Sequence, residues 1–327
     1  MQWYEIKCYT NASIMPPFIN YIRHLIFNEQ NISIKKSWQN GYHIHVFGFM
    51  NDDKARQIEE DFNTLLSDYP PLKYDEKEFK EKYSKISIIT AQPEALDSIL
   101  QNQVILKLKN AEDDFENEKQ LELYLNIHKV FDRQYGKYYF GDMQIENIIE
   151  DIYSFIDELP HTILNKEKNL ISNGYISHNS HFIGFLNSLK QEQRSTITNQ
   201  FEQRRAEYIH QFLEKRVEHK SLFHQDLEAI FLKITKLVEA KAINFLSPKK
   251  VEDITSKLPR YSKKHAEVFG SAELLNQTLY DPVLCTNKWI LNVLYEKLVI
   301  LQIRPIDKFY MNYFLSRLIF NQSSLEV

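Results

Sequence analysis

The sequence predicts an α+β fold in which a strand-rich front half, starting β-α-β-β-α-β, is packed on a helical back half. Three observations carry this reading. Apolar and polar residues alternate with period two only between residues 2 and 128, a turn dipeptide joins two of these stretches, and the period becomes helical from about residue 143.

Taken in order, residues 2–10 read as a strand, with Trp3, Glu5, Lys7 and Tyr9 alternating against Tyr4, Ile6 and Cys8. Residues 14–27 read as a helix entered through Pro16 and Pro17, its apolar stripe being Phe18, Tyr21, Ile22 and Leu25. Asn40-Gly41 is the favoured type I′ dipeptide, because both central residues need positive φ, and it predicts a hairpin joining Ile32–Gln39 to Tyr42–Met50. A helix over 52–67 opens on Asp52 or Asn51 as its N-cap. Lys85–Thr90 reads as the next strand. Leu121, Leu123, Leu125 and Ile127 alternate with Glu122, Tyr124, Asn126 and His128, the pattern of a half-buried strand despite a helix-favouring composition. Ile145, Ile148, Ile149, Ile152 and Phe155 then form a helical stripe, as do Phe223, Leu227, Ile230, Ile234 and Leu237, with a charged helix at 194–220 and further helices at 283–301 and 305–320. No internal repeat or low-complexity linker divides the chain, so residues 1–327 are expected to form one domain, strand-rich over 1–142 and helical over 143–327.

Composition narrows the function. With 43% hydrophobic and 13% aromatic residues the chain has material for a continuous core. Two cysteines, Cys8 and Cys285, argue against a disulfide framework and a cysteine zinc site, and fit a reducing cytoplasm. No basic-plus-apolar leader and no long apolar run is present, so neither secretion nor a membrane partner is expected. A net charge of −4 does not supply the basic field of a nucleic-acid binder. The basic pairs Lys35-Lys36, Arg204-Arg205, Lys249-Lys250 and Lys263-Lys264 read as solvated surface, or as a groove for an acidic peptide. Seven glycines, with no G-x-G-x-x-G and no Walker loop, leave no cradle for a pyrophosphate, and no cofactor is expected.

Two groups of residues could carry chemistry. His43 and His45 lie two apart on one strand and point to one face. They fit a polar cross-strand face better than a metal site, since spacing offers no third ligand. The second group is Gly174-Tyr175-Ile176-Ser177-His178-Asn179-Ser180-His181-Phe182-Ile183-Gly184-Phe185, whose two Ser-His pairs would bring hydroxyls and imidazoles to one side of a helical turn. Imidazole can take and give a proton near neutrality, so the segment suits acid–base work; it equally suits helix capping and buried polar satisfaction. No G-x-S-x-G elbow and no H-E-x-x-H is present, and His219 and His224 have the wrong offset for a shared helical face. Tyr135, Tyr138, Tyr139 and Phe140 are either core or a stacking surface for planar rings.

The Gly174–Phe185 segment resembles the G-x-x-S-H-x-S-H-x-x-x-F segment of the lantibiotic-dehydratase C-terminal, or thiopeptide-type bacteriocin biosynthesis, family. Trp3-Tyr4-Glu5-Ile6-Lys7 resembles that family's first strand, and Tyr42-His43-Ile44-His45-Val46 stands where it typically has His-Leu-Arg-Leu-Arg. Phe131–Glu158 is similar to its E-x-x-R-Y-G-G segment and following helix, and Cys285-Thr286-Asn287-Lys288 to its C-terminal His-x-x-x-Asn-Arg region. The matches keep the family's order along nearly the whole chain. Members that eliminate glutamate from glutamylated Ser or Thr are expected to grip that carboxylate with arginines, whose planar fork gives two parallel charge-assisted bonds. Here His45 and Phe47 replace arginines, Gln134 precedes Tyr135-Gly136, and Lys288 stands for Arg.

The resemblance therefore implies the stand-alone pyridine synthase branch, which joins two dehydroalanines of a leader-bearing peptide in a formal [4+2] cycloaddition, closes the macrocycle, and aromatises the ring with loss of water and leader. By motif position it implies proton transfer at His178 and His181, with Ser177, Ser180, Tyr135 and Asn287 orienting the amide or hydroxyl. Tyr175, His43, His45 and Lys288 would contact substrate. The implied partners are the precursor peptide, leader and modified core, and other enzymes of the pathway. The alternatives are the glutamate-eliminating subunit of a split dehydratase and a non-catalytic leader-binding module.

Overall fold

The structure is a computed structural model and describes residues 1–89, 93–110, 113–141, 143–153, 155–156, 163, 175–215, 222–244 and 278–320. Its front half contains β1 (Gln2–Tyr9), α1 (Pro16–Asn28), β2 (Ile32–Ser37), β3 (His43–Met50), α2 (Asp52–Asp68), α3 (Glu76–Ile89), β4 (Gln103–Lys109) and α4 (Glu118–Tyr135). Helices α5 (Ile145–Tyr153), α6 (Tyr175–Asn187), α7 (Gln191–Lys215), α8 (Leu222–Glu239), α9 (Pro282–Ile300) and α10 (Pro305–Phe320) follow. The α+β reading holds, with strands in front and helices behind. The Lys249-Lys250 and Lys263-Lys264 pairs, Gly174 and His219 lie outside the described residues.

The front half begins β-α-β-β-α-α-β, with one helix more than expected, because Lys85–Thr90 falls largely in α3 and the last strand is β4. The second misread strand, 121–128, lies inside α4. Asn117 caps that helix, its side chain accepting from the Gln120 amide at 3.1 Å, and the Leu, Glu, Lys and Gln that follow are strong helix formers. Leu121, Leu123, Leu125, Ile127, Val130 and Phe131 are all buried, so α4 is covered around most of its circumference. A helix buried on several sides loses the single apolar stripe that separates period 3.6 from period two. The hairpin is also longer than its dipeptide implies. The strands stop at Ser37 and start at His43, and the turn closes from Gly41 N to Trp38 O at 3.0 Å. Asn40 and Gly41 do take positive φ, 60° and 119°. The Asn40 amide and carbonyl are drawn off to Ala95 and Leu100, however, which opens a two-residue turn into a five-residue connection spanning 38–42.

All pairings are antiparallel, in the strand order β2-β3-β1-β4. Alternation gives the sheet two distinct faces. Ile6, Cys8, Ile34, Ile44 and Val46 form one that is completely buried. Tyr4 is on the same face, and its hydroxyl meets Asp52 at the start of α2. Asn51 caps α2 by accepting from Lys54 N at 2.8 Å, one of the two caps the sequence offered. The opposite face shows Trp3 and Phe47, which pack with Leu121 and Leu125 of α4.

Spatially the chain forms two compact units, Met1–Asp142 with Val293–Gln302, and Met143–Asn292 with Ile303–Val327. The last turns of α9 therefore belong with the first unit. Lys297 is the reason. Its ammonium is wholly buried and lies 2.6 Å from Asp132 Oδ1, 2.6 Å from the Ile34 carbonyl and 3.0 Å from Ser33 Oγ. Ser33 and Tyr139 donate to the same carboxylate at 2.6 and 2.5 Å. Within the second unit, Arg204 of α7 bridges Glu146 of α5 and Asp307 of α10 while stacking 4.1 Å from the Tyr310 ring. Phe185 and Phe309 stack at 4.1 Å, fixing α6 against α10. Among the described residues no helix is long and apolar enough to cross a membrane.

Removing one partner of a buried ion pair leaves an uncompensated charge, at a cost of about 3–5 kcal/mol. Lys297→Met should lower the stability of the first unit by that amount in urea unfolding, whereas Lys297→Met combined with Asp132→Leu should recover much of the loss. A single variant as stable as the wild type would show that the pair does not hold the unit together.

Candidate functional site

The polar face of the sheet is built by strand register. Lys35, His45 and Lys7 sit side by side across β2, β3 and β1, and Ser33, Phe47 and Glu5 form the adjacent row. His43 and His45 do share this face, with ring centres 6.1 Å apart. Helix α4 brings Tyr124 and His128 onto it, 5.6 and 4.9 Å from the Phe47 ring. From the end of α9, Glu296 adds a carboxylate 2.7 Å from Lys35 Nζ and 2.6 Å from the Tyr124 hydroxyl. His128 Nε2 lies 3.5 Å from the same carboxylate.

The charges divide sharply. Burial drives His43 down to about 3, with His45 repelling it further, and drives His45 to about 4 against the pull of the Glu5 carboxylate 3.4 Å away. His128 falls to about 3 through burial and the nearby Lys297. All three imidazoles are therefore neutral at pH 7. Burial alone would raise the Glu5 carboxyl, but the His45 imidazole 3.4 Å away, then Lys109 and Lys7, bring it down to about 2. Because His45 is neutral near pH 7, the cations facing Glu5 there are Lys109, at 3.5 Å, and Lys7. Burial likewise opposes the charge on Lys35, and Glu296 outweighs it, so Lys35 stays an ammonium.

The Ser-His segment occupies α6 in the second unit. His178, Ser180 and Tyr175 are buried, Ser177 is half-buried and His181 is exposed. The two imidazoles thus have different environments, because a three-residue step leaves side chains ~60° apart around a helix. His178 Nδ1 is 2.7 Å from Asn312 Oδ1, and Asn312 Nδ2 donates to the Lys308 carbonyl at 2.9 Å. That second bond fixes the amide orientation, so Nδ1 carries the proton and Nε2 presents its lone pair. Nε2 is buried with no hydrogen-bond partner among the described residues, and burial holds the imidazole down to about 4 against the Asn312 contact. Asn287 is buried on α9 and Lys288 beside it is half-buried. Tyr135 ends α4 in the first unit, wholly buried and stacked on Phe131 at 5.9 Å.

The same fold occurs in a thiopeptide pyridine synthase. That structure, "Pyridine synthase, TbtD, from thiomuracin biosynthesis", superposes with a TM-score of 0.62 at 12% identity, over 99% of this chain and 100% of that one. A second, TsrL, gives 0.54 at 12% identity over 98% and 95%. No family model matches the sequence, and no curated protein does.

Sequence reasoning found His43 and His45 on this face but missed Glu5, Lys35, Tyr124, His128 and Glu296. Lys35 and Glu296 are 261 residues apart, a separation no local pattern reveals. Tyr124 and His128 did leave a signal, since i,i+4 spacing puts them on one helical face once 121–128 is read as helix.

Four buried neutral histidines set a pH response. His43, His45, His128 and His178 have folded values of about 3 to 4 against an ordinary 6.5, so the unfolded chain binds more protons between these limits. Stability is full above about 6.5 and is lost as pH falls toward 4; Glu5, depressed from 4.5 to about 2, extends the loss below that. Thermal melts should show the midpoint dropping steadily over this window, and a flat midpoint would contradict the assignment.

Proposed function

We propose that this chain is a thiopeptide pyridine synthase, joining two dehydroalanines of a leader-bearing, azole-containing peptide in a formal [4+2] cycloaddition, closing the macrocycle, and aromatising the ring with loss of water and leader. The observation that carries this reading is the end-to-end fold likeness to a solved pyridine synthase, covering 99% of one chain and 100% of the other. The state of the guanidinium groups adds support. Arg23 donates to the Tyr139 carbonyl, Arg56 is paired with Asp52, Arg204 and Arg304 with Asp307, and Arg205 with Glu202. For these five of the described arginines, a partner inside the chain competes with the grip on a glutamate carboxylate that elimination needs.

The task is mainly one of geometry. Two distant alkenes of a long peptide must meet, and good positioning can supply effective molarities on the order of 10⁵–10⁸ M. Proton transfer is the remaining need, because one backbone amide must become its imidic-acid tautomer. In this reading His178, held in the correct tautomer by Asn312, takes the amide N–H proton on Nε2 and returns it to the amide oxygen, which completes the imidic acid with no net gain or loss of a proton. Ser177, Ser180, His181, Tyr135 and Asn287 orient or relay protons, and Tyr175, His43, His45 and Lys288 contact the peptide.

Mass spectrometry is the direct test. A dehydrated, azole-bearing precursor should give cyclised product and free leader, whereas a product that forms only from a glutamylated peptide and keeps its leader would establish elimination instead. His178→Gln should slow single-turnover cyclisation by ~10²–10⁴-fold, the usual share of a positioned acid or base. An unchanged rate would remove His178 from the chemistry.

A further inference from the structure

We propose that Tyr124 donates a proton to the substrate, its phenol held between Lys35 and Glu296 on the polar face of the sheet. This goes beyond the pyridine-synthase reading, on which it rests, by adding an acid from α4 that neither the sequence motifs nor the resemblance singles out.

The three groups form a closed triangle. Lys35 Nζ is 2.8 Å from the Tyr124 hydroxyl and 2.7 Å from Glu296 Oε2, and the hydroxyl donates to the same Oε2 at 2.6 Å. Behind it His128 is fully buried, whereas the side chains of Lys35 and Glu296 are 22% and 35% exposed, so the triangle opens on one side. Aromatic rings flank it. Phe47 and Phe115 lie 5.6 and 5.2 Å from the Tyr124 ring, and Trp3 meets Phe47 and Phe49 at 5.8 and 5.2 Å. Trp3 and Phe47 are buried in the core beneath, so the rings left to meet a planar heterocycle by stacking or edge to face are the partly buried Phe49, Phe115 and Tyr124.

A purely structural role is the competing explanation, and the neighbouring ion pair argues against it. Lys297 and Asp132 already tie β2, α4 and the end of α9 together through wholly buried groups. The Lys35–Tyr124–Glu296 triangle joins the same three elements again, yet is left partly open to solvent. Redundant as a tie, it has the composition of a proton relay. Burial and the Glu296 carboxylate keep the Tyr124 phenol protonated, and the adjacent Lys35 ammonium offsets part of the cost of the phenolate formed when that proton leaves.

The step that uses it is the dehydration of the cycloadduct. The phenol proton passes to the departing hydroxyl, and the C–O bond breaks with its electron pair on oxygen, releasing water. Glu296 takes a proton from the neighbouring ring carbon, whose C–H pair becomes the new double bond. That proton returns to the phenolate along the 2.6 Å hydrogen bond, restoring both groups.

Tyr124→Phe keeps the ring and removes only the hydroxyl. With the dehydrated precursor under single-turnover conditions, it should fold and bind precursor as the wild type does, yet slow aromatisation by ~10²–10⁴-fold and accumulate an adduct one water heavier than the product. Glu296→Gln, which keeps the shape but cannot accept the proton, should accumulate the same species. Rates equal to wild type in both variants overturn the assignment, as does loss of precursor binding in step with a lowered thermal midpoint, which would mark the triangle as structural. Wild-type enzyme that gives no pyridine product sinks the parent reading and this step with it; active wild type with an unaffected Tyr124→Phe sinks this step alone.

Discussion

The Lys297–Asp132 pair is the constraint on which the first unit depends. Two full charges with no exposure are tolerated only when each is matched, and here the ammonium spends its donors on Asp132, Ser33 and the Ile34 carbonyl, while the carboxylate also accepts from Ser33 and Tyr139. The arrangement fixes strand β2 against α4 and recruits the last turns of α9 to a unit that is otherwise complete by residue 142. Glu296 sits next to Lys297 in sequence. The pair that anchors the end of α9 therefore also places the carboxylate that reaches Lys35 and Tyr124.

The polar face shows how burial and charge pairing assign protonation states. Desolvation makes His43, His45 and His128 neutral, while Lys35 and Glu296 remain charged because each is the other's partner. The face thus combines neutral imidazoles, a phenol and one ion pair within a few ångströms of aromatic rings. In the second unit the same desolvation acts on His178, with Asn312 selecting the tautomer. Both places hold uncharged imidazoles, because desolvation opposes the charged form.

Particular elements show how far the sequence could be read. α1, α2, α5 and α8 follow from one-sided amphipathic patterns and β1 from alternation, and the end-capping Asn51 and the positive-φ Asn40-Gly41 pair were recognisable from residue type. α4 was misread because its surroundings bury most of its circumference, so that alternation and helical periodicity coincide. The hairpin was shortened in the reading because the competitors for the Asn40 backbone groups, Ala95 and Leu100, come from more than fifty residues away.

The sequence by itself determined the α+β class, the division into a strand-rich front and a helical back, and the placing of His43 and His45 on one face, since each follows from the local period of side chains along a chain. Only the tertiary structure decided that α4 is a helix, that Lys297 and Glu296 close on β2, and that His178 and His181 face different surroundings. These depend on which long-range partners bury a residue, and desolvation and charge pairing act through space, not along the sequence.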